Sequence, residues 1–234
     1  MLVAISQRGE RESKYGSVDI LERSYGEYFD RFDVNLIPVP NVGRVLKKYF
    51  HQLKVEGIIL SGGGDVHPSL YGGDINYPGN YSSDRDETEK SLLEIALDQG
   101  LPVLGICRGM EAINVNFGGK LIQNLEKDVA DALNHRGTRH SITVSEDSIV
   151  NSMETDTFEV NSYHDLGIGT QQLSSQLIPF AVAEDQTIEG LYHPEHAIAA
   201  VMWHPERENS LHALNEFLTN AFISRKLFWR DRQG

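Results

Sequence analysis

The stretch GICRG at residues 105–109 spans the junction between an apolar run that ends at Ile106 and a helical pattern that begins at Arg108, with Cys107 at the turn. A nucleophilic side chain between two glycines, where a strand turns into a helix, is the arrangement of a nucleophile elbow, here with cysteine in place of serine. The first N–H groups of such a helix carry partial positive charge and favour a thiolate. We therefore predict that Cys107 is a nucleophile with a lowered thiol pKa; an inert buried thiol is the competing interpretation.

Around this turn, short apolar runs alternate with helical patterns through the first half of the chain. We predict strands at Leu2–Ile5, Val34–Val39, Val55–Leu60 and Pro102–Ile106, and helices at about Ser17–Arg31, Val42–Leu53, Asp86–Asp98 and Arg108–Phe117. Strand–helix–strand order favours a parallel sheet with helices on both faces. The third helix is expected to open with Asp86 as its cap and Glu89 three residues on, and to stop at Gly100.

The second half of the chain has a different pattern. Short strand-like runs separated by turns are predicted at Ser141–Val144, Thr157–Asn161, Ile178–Ala183, Thr187–Tyr192 and Ile198–Trp203, before a final amphipathic helix at about Ser210–Ser224. A hairpin is expected across residues 184–185. The fold class is therefore α/β: a mostly parallel central sheet with helices on both faces and a smaller antiparallel β element, in one domain over residues 1–234.

Composition and charge exclude several classes of protein. The chain has 234 residues, of which 40% are hydrophobic and 24% charged, with a net charge of −13. That acidity disfavours binding to nucleic acid. The apolar runs are too short for a membrane span, and the first residues are too short an apolar stretch for a secretion signal. With a single cysteine, no internal disulfide can form, so we expect a cytoplasmic protein.

A cysteine nucleophile needs a base, and the base needs a third group that orients it. His204 and Glu206, separated by Pro205, follow an apolar run and point to the same face of an extended segment. The same His-Pro-Glu triplet occurs at residues 193–195, so the triplet alone is a weak indication. The longer apolar run before His204 favours that copy; a surface loop with an ordinary ion pair is the alternative.

A glycine-rich loop at residues 62–64 follows the strand that ends at Leu60. Backbone N–H groups in such a loop, with that of Arg108, could stabilise the negative oxygen that develops during acyl transfer. No Gly-Lys-Ser/Thr continuation follows, which disfavours a phosphate-binding loop; a simple tight turn remains open. Among the nine histidines only His193 and His196 have the His-x-x-His spacing, and no Cys-x-x-Cys pair exists, so we predict neither a metal site nor a cofactor.

Three motifs taken together resemble a known family. SGGGD at residues 61–65, GICRGM at 105–110 and WHPE at 203–206 are similar, in this order, to the class I glutamine amidotransferase (flavodoxin-like) fold. Within it the chain resembles the γ-glutamyl hydrolases of the peptidase C26 type, including the γ-glutamyl-γ-aminobutyrate hydrolases. The resemblance implies Cys107 as nucleophile, His204 as base and Glu206 as its orienting group. It also implies an oxyanion hole formed by the N–H groups of Gly63 and Arg108.

The resemblance extends to substrate-binding residues. It implies that Asn161, Ser162, Tyr163 and His164 contact the α-amino and α-carboxylate groups of a glutamyl substrate, and that Glu111 holds the α-ammonium. Leu166 stands where the family commonly has glutamine. A solvated helix charge is the alternative for Glu111, and His140 either lines the same cleft or is structural.

The function implied is hydrolysis of a γ-glutamyl amide bond through a thioester, with release of glutamate. Short matches at residues 6–8, 21–23 and 203–208 resemble a sub-branch that hydrolyses γ-glutamyl-CDP-amidate in capsule or surface polysaccharide biosynthesis. A diphosphate-bearing leaving group would need cations, for which the candidates are Arg8, Arg85, Arg108 and Arg207. The alternatives are a γ-glutamyl-γ-aminobutyrate-type hydrolase, a glutaminase subunit that supplies ammonia to a synthetase, and a non-catalytic binding module. The expected partner is the small-molecule substrate, with a homodimer left open.

Overall fold

The computed structural model describes every residue except 14–15, 44–45, 47–49, 51–52, 209–211 and 226–234. Its strands are β1 (Leu2–Ser6), β2 (Arg8–Ser13), β3 (Gly16–Ile20), β4 (Asn35–Val39), β5 (Gly57–Leu60), β6 (Val103–Ile106), β7 (Arg136–Val144), β8 (Thr157–Tyr163), β9 (Ile178–Ala183), β10 (Ile188–Tyr192) and β11 (Ile198–Val201). The α-helices are α1 (Arg23–Asp30), α2 (Ser83–Gln99), α3 (Arg108–Asn116), α4 (Leu125–Asp128), α5 (Asp147–Met153) and α6 (Ala213–Ile223), with 3-10 turns at Pro68–Leu70 and Pro205–Arg207.

Nine of these strands form one mixed sheet in the order β4-β1-β5-β6-β11-β10-β9-β7-β8. The five strands from β4 to β11 are parallel, and the four beyond β11 continue the sheet in antiparallel fashion. The strands β2 and β3 pair as a separate antiparallel hairpin. The predicted α/β class with a smaller antiparallel element is confirmed, and the hairpin across residues 184–185 joins β9 to β10 as expected.

Helices cover both faces of the parallel strands, as the sequence predicted. Alternating strand residues divide between two cores: Ile58 and Leu60 of β5 pack on the face that carries α2 and α3, whereas Ile59 packs on the face that carries α1 and α6. All three side chains are fully buried. Because both faces of the sheet are covered, polar side chains are accommodated at the strand ends. In open α/β sheets, ligands bind at the carboxyl ends of the strands.

Two local predictions are wrong. Residues 16–20, expected to begin a helix, form β3 instead, because they pair with β2 and the helix starts only at Arg23. The helix α2 is capped by Ser82, whose hydroxyl accepts from Arg85 N–H, and not by Asp86, which lies one turn inside. Gly100 ends this helix in the left-handed conformation, as predicted.

Two other predicted helices involve residues outside the described part of the chain. The helix predicted at Val42–Leu53 falls largely on such residues. The last helix is described from Ala213 to Ile223, and its Leu214, Leu218 and Phe222 are buried as expected. None of the helices in the described ranges combines the length and apolarity needed to cross a membrane.

Candidate active site

The turn between β6 and α3 has the strained geometry of a nucleophile elbow. Cys107 adopts φ 52° and ψ −111°, outside the regions that suit a residue with a side chain. Such a conformation costs about 1–3 kcal/mol and persists only where the surroundings enforce it. Here Cys107 N–H donates to Val201 O (2.8 Å). A Cβ on Gly109 would lie 2.1 Å from Leu60 O, so only glycine lets α3 approach the sheet this closely.

His204 and Glu206 form the orienting pair that the sequence predicted. His204 Nδ1 is 2.6 Å from Glu206 Oε1, and both side chains are fully buried. The pair lies just beyond the carboxyl end of β11, where the chain turns into the 3-10 helix that starts at Pro205. Because Glu206 accepts from Nδ1, the neutral ring presents the lone pair of Nε2. This Nε2 is buried and has no hydrogen-bond partner within the described residues.

The thiol and the imidazole converge beside Gly62. The position that a Cβ on Gly62 would occupy is 2.6 Å from His204 Cε1 and 3.4 Å from Cys107 Cβ, so these two atoms lie at most 6.0 Å apart. From Cβ and Cε1, the Sγ and Nε2 atoms each extend one bond further, which allows them to face one another. The imidazole, the thiol and the carboxylate predicted to form a triad are thus grouped at the carboxyl edge of the sheet.

Asn161 holds the backbone of the histidine from both sides. Its Oδ1 accepts from His204 N–H (2.9 Å), and its Nδ2 donates to His204 O (2.8 Å) and to Glu208 Oε1 (2.8 Å). The side chain is 3% exposed, so its polar atoms are engaged inside the protein. This placement departs from the expectation that Asn161 contacts the substrate, and makes it a positioning residue for His204.

Replacement of Asn161 by alanine is therefore expected to lower kcat by about 10–100-fold, because a small displacement of His204 misaligns the proton transfer. The KM for a γ-glutamyl substrate should change by less than about threefold, since the side chain does not reach the ligand. Steady-state kinetics on Asn161→Ala, with exposed Asn35→Ala as the matched control, measures both constants. A variant with raised KM and unchanged kcat would instead assign Asn161 to substrate binding.

The glycine loop after β5 is fixed by two side chains, one of which, Arg85, the sequence offered only as a cation for the leaving group. Arg85 donates to the carbonyl oxygens of Ser61 (2.6 Å) and Gly62 (3.1 Å) and, at shorter range, to that of Gly63. Tyr25 accepts from Gly62 N–H through its hydroxyl (2.8 Å). Gly63 has φ +82°, which favours glycine, and none of the described residues accepts from its N–H. The loop thus presents one unused N–H, as an oxyanion donor requires.

Two of the arginines considered for a leaving group are buried in an ion network instead. Arg108 pairs with Glu89 and Asp86, and Arg85 pairs with Glu89 (2.8 Å), all at or below 8% side-chain exposure. Ser6 Oγ also donates to Glu89 (2.8 Å). The expectation that the Arg108 side chain faces the leaving group is therefore wrong, and Arg85 serves the loop. The backbone N–H of Arg108 does approach the Cys107 thiol.

The predicted low pKa of the thiol is also wrong for the free protein. Burial raises the pKa of Cys107 to about 12, and the carboxylate of Glu111 adds to the rise, against a lowering by the Arg108 N–H. The desolvation of a thiolate outweighs the helix N-terminus, because charge removed from water costs several kcal/mol. The resting thiol is neutral, and His204 must take its proton during attack.

Alkylation of Cys107 by iodoacetamide should accordingly be slow at pH 7. Its rate constant should rise about tenfold per pH unit up to pH 10, because the thiolate fraction grows by that factor. A thiol whose pKa is raised to about 12 stays protonated throughout that window. Rate constants measured by mass spectrometry test this, with the urea-unfolded chain as control, whose rate should level off above pH 9. A plateau near pH 7 in the folded protein would contradict the raised pKa.

Glu111 lies one turn along α3 from the thiol and is 3% exposed. Burial raises its pKa to about 7, with Asp65 adding to the rise. Its Oε2 has no hydrogen-bond partner in the described ranges. A buried carboxylate with an unused oxygen beside the nucleophile is suited to receive a cationic group, and is not the solvated helix charge considered as the alternative.

Tyr163, Arg207 and Arg8 surround the mouth of the site. Tyr163 is 48% exposed, its ring lies edge-on to His204 (5.8 Å between centroids), and the Arg207 guanidinium stacks on it at 4.7 Å. Arg8 extends over the glycine loop, with its Cδ 2.9 Å from where a Cβ on Gly63 would be. Both guanidinium groups have a carboxylate neighbour: Arg8 lies 3.3 Å from Glu22 and Arg207 lies 3.7 Å from Glu206.

The other substrate-binding candidates lie deeper. Ser162 is fully buried and donates to His135 O (3.0 Å), while His164 Nδ1 lies 2.8 Å from Leu166 O. These two side chains are thus buried in the antiparallel part of the sheet, and so is the side chain of His140. The second His-Pro-Glu triplet is structural: His193 Nδ1 accepts from the N–H groups of Glu195 and His196.

The fold and the site together define a class: α/β proteins with a cysteine, a histidine and a glutamate at the carboxyl edge of a parallel sheet. The model of the peptidase C26 family matches residues 3–206, and the chain belongs to this family of hydrolases. The solved glutaminase domain of Trypanosoma brucei CTPS shares the fold, with a TM-score of 0.67 over 96% of this chain and 94% of its own, at 13% identity.

Two curated relatives are similar along most of the chain. The γ-glutamyl-CDP-amidate hydrolase of Campylobacter jejuni is 30% identical over 213 residues, which cover 90% of this chain and 92% of the relative. The γ-glutamyl-γ-aminobutyrate hydrolase PuuD of Escherichia coli is 31% identical over 186 residues, which cover 73% and 72% of the two chains. The predicted family resemblance is confirmed.

Proposed function

We propose that this protein hydrolyses the amide bond of a γ-glutamyl compound through a thioester on Cys107. The observation that carries the proposal is the His204 imidazole, which is held by Glu206 on one nitrogen and has its other nitrogen free beside the thiol. A structural histidine would have both nitrogens satisfied. The names of both curated relatives support the γ-glutamyl group as the part that is recognised.

Acylation moves one proton and exchanges one bond. Cys107 Sγ–H gives its proton to His204 Nε2 as the sulfur attacks the γ-carbonyl carbon, and the N–H groups of Gly63 and Arg108 stabilise the oxyanion. The imidazolium, stabilised by Glu206, then returns this proton to the amide nitrogen as the C–N bond breaks. A neutral resting thiol suits this order, because attack and proton transfer occur together.

Deacylation uses the same groups, with water as the attacking group and the sulfur as the leaving group. A water molecule gives a proton to His204 and attacks the thioester carbon, the C–S bond breaks, and the sulfur recovers the proton. The products are glutamate and the free thiol. Glu111 receives the α-ammonium of the glutamyl group, because a buried carboxylate gains most from a charged partner that fills its unused oxygen.

For the leaving group we propose a nucleotide-linked amine, as in γ-glutamyl-CDP-amidate. The relative with that name covers nine-tenths of this chain. Arg207 and Arg8 support the choice, since both are partly exposed and lie beside the mouth where a diphosphate would need cations. A small amine such as γ-aminobutyrate would make no use of two guanidinium groups.

Glutamate release from γ-glutamyl-CDP-amidate and from γ-glutamyl-γ-aminobutyrate tests the assignment. The nucleotide-linked compound is expected to give the higher kcat/KM, and Arg207→Gln should lower it at least about tenfold for that compound and less than threefold for the other. The control is Arg31→Gln at the end of α1. Equal loss on both substrates, or preference for the small amine, would reject the nucleotide-linked assignment. Inactivity on both would reject γ-glutamyl hydrolysis of either kind.

A further inference from the structure

Three histidines converge on one carboxylate in the antiparallel half of the sheet. His135 precedes the ladder of β7, His140 lies within β7, His164 follows β8, and Glu189 belongs to β10. Each is less than 10% exposed, and Glu189 is fully buried. Neither the triad nor the ion network around Glu89 contains any of them. We call these four residues the histidine cluster.

The distances in the histidine cluster are too long for hydrogen bonds and suit ligands of a common ion. His164 Nε2 is 3.6 Å from Glu189 Oε1, His140 Nε2 is 3.6 Å from Glu189 Oε2, and His135 Nδ1 is 3.9 Å from Glu189 Oε1. A contact of 3.6 Å is not a hydrogen bond. Ligands about 2.1 Å from a tetrahedral zinc ion lie about 3.4 Å from one another, close to the separations found here.

The second nitrogen of two rings is already committed as a donor. His164 Nδ1 lies 2.8 Å from Leu166 O, and a carbonyl oxygen can only accept. His135 Nε2 lies 2.9 Å from Asp185 Oδ2, a carboxylate that also accepts from the N–H groups of Leu133 and Thr187. In the neutral rings the opposite nitrogens, which face Glu189, therefore carry lone pairs.

Lone pairs that face a carboxylate repel it unless a positive charge lies between them. Histidines that ligate a metal usually donate their other N–H to a carboxylate or a backbone carbonyl, as His135 and His164 do here. Four buried atoms of the cluster have no hydrogen-bond partner within the described residues: His140 Nδ1, His140 Nε2, His164 Nε2 and Glu189 Oε2. His135 Nδ1 also has Ser162 Oγ at 3.1 Å, a hydroxyl that can instead donate to His135 O.

We propose that the histidine cluster binds one divalent transition-metal ion of the zinc type through one nitrogen each of His135 and His164 and a carboxylate oxygen of Glu189, atoms that lie within 4.8 Å of one another, with His140 next to the other carboxylate oxygen. Nitrogen-rich donor sets suit zinc, whereas magnesium and calcium prefer oxygen ligands throughout. Two acidic side chains, Glu189 and Asp185, lie at the two ring nitrogens of His135, a placement that suits a divalent cation.

An ion could reach the histidine cluster from solvent. A cavity of about 440 Å³ is lined by His135 and His164 and opens between Asn124–Glu126 and residues 132–136. At its rim the exposed side chains of Arg136 and Asp165 form an ion pair. The inner end of the cavity thus meets two of the ligand side chains, which gives a hydrated ion a path to the site.

The bound ion would connect β8, which carries residues of the active site, to its neighbouring strands. The strand β8 carries Asn161, which holds His204, and Tyr163, which lies at the mouth. His164 follows directly, so an ion at the cluster would tie this end of β8 to β7 and β10. We therefore assign the ion a structural role, with an effect on stability that does not depend on catalysis.

The test is a titration of the chelator-treated full chain carrying Cys107→Ala, so that zinc cannot bind the catalytic thiol. Isothermal calorimetry and elemental analysis should find one zinc ion per chain, with a rise in Tm, while magnesium gives neither. Glu189→Gln and His164→Ala should each weaken binding at least about 100-fold. The control His196→Ala removes an exposed imidazole outside the cluster and should leave binding unchanged.

Cobalt gives a readout that does not depend on the variants folding. Co²⁺ bound to the same chain should show the intense visible absorption of a tetrahedral nitrogen and oxygen site. Weak absorption typical of six-coordinate cobalt, no zinc retained by the chain, or zinc lost with His196→Ala and kept with His164→Ala would each overturn the proposal. In that case the cluster holds a proton between histidine and glutamate rather than a metal.

Discussion

Replacement of Cys107 by alanine is expected to lower the rate of γ-glutamyl hydrolysis at least about 10⁴-fold and to leave the fold intact. The size of the loss follows from the role proposed for the residue, because a covalent mechanism without its nucleophile retains only the contributions of binding and the oxyanion hole. The substitution removes one sulfur atom from a buried position, so the unfolding free energy should change by no more than about 1–2 kcal/mol. Glutamate release and thermal melting measure the two quantities.

Two further variants make this result specific. Cys107→Ser keeps the shape of the side chain, yet a hydroxyl is a far weaker acid than the thiol, so it should be nearly as inactive as alanine. Glu206→Gln keeps the hydrogen bond to His204 but removes the charge that stabilises the imidazolium, and should lose about 10²–10⁴-fold. Hydrolysis by Cys107→Ala at the rate of the unmodified protein would reject the mechanism.

Replacement of Glu89 by glutamine is expected to destabilise the fold by about 3–5 kcal/mol. The carboxylate lies between Arg85 and Arg108, all three fully buried, and its removal leaves Arg85 without its counter-ion and Arg108 with Asp86 alone. The arginines hold the pKa of Glu89 below its usual value although burial alone would raise it, so the carboxylate is ionised at neutral pH. Because Arg85 fixes the glycine loop, activity should fall as well.

Urea denaturation of Glu89→Gln measures this effect. The matched control is Glu27→Gln, an exposed glutamate on α1, which should change the unfolding free energy by less than about 0.5 kcal/mol. A Tm about 10 °C lower is expected for the buried variant of a chain of this size. If Glu89→Gln were as stable as the control, the two arginines would have to be compensated by other groups or by water.

Much of the fold could be predicted from the sequence because its signals are local. The apolar runs that became β5 and β6 are short and bounded by glycines, and the elbow at Cys107 is marked by the glycines on either side. The pattern failed at residues 16–20, where the pairing with β2 outweighs a helical arrangement of apolar side chains. That pairing is a contact between two segments, which the helical periodicity of one of them does not encode.

The sequence predicted only those contacts of the site that join residues close together in the chain. His204 and Glu206 are two residues apart, so their contact follows from the local chain. The hydrogen bonds from Arg85 to the glycine loop and from Asn161 to His204 join residues 22–43 positions apart. No rule on sequence spacing predicts them. The thiol pKa was misjudged for the same reason: the helix N-terminus is visible in the sequence, while the burial that outweighs it is a property of the folded chain.

The histidine cluster shows the same limit. The sequence predicted no metal site, because neighbouring pairs such as His-x-x-His are the pattern that a sequence can reveal. The four residues come from three segments between positions 135 and 189, and the antiparallel pairing of β7 with β8 and β9, and of β9 with β10, brings them together.

The most direct test of the central claim is mass spectrometry of the intact protein, quenched in acid during turnover of a γ-glutamyl anilide. The anilide leaves readily, so acylation outruns hydrolysis and the acyl enzyme accumulates. We expect a mass increase of one glutamyl group, located on Cys107 by peptide mapping and absent from Cys107→Ala. Rapid glutamate release with an unmodified cysteine at every quench time would contradict it.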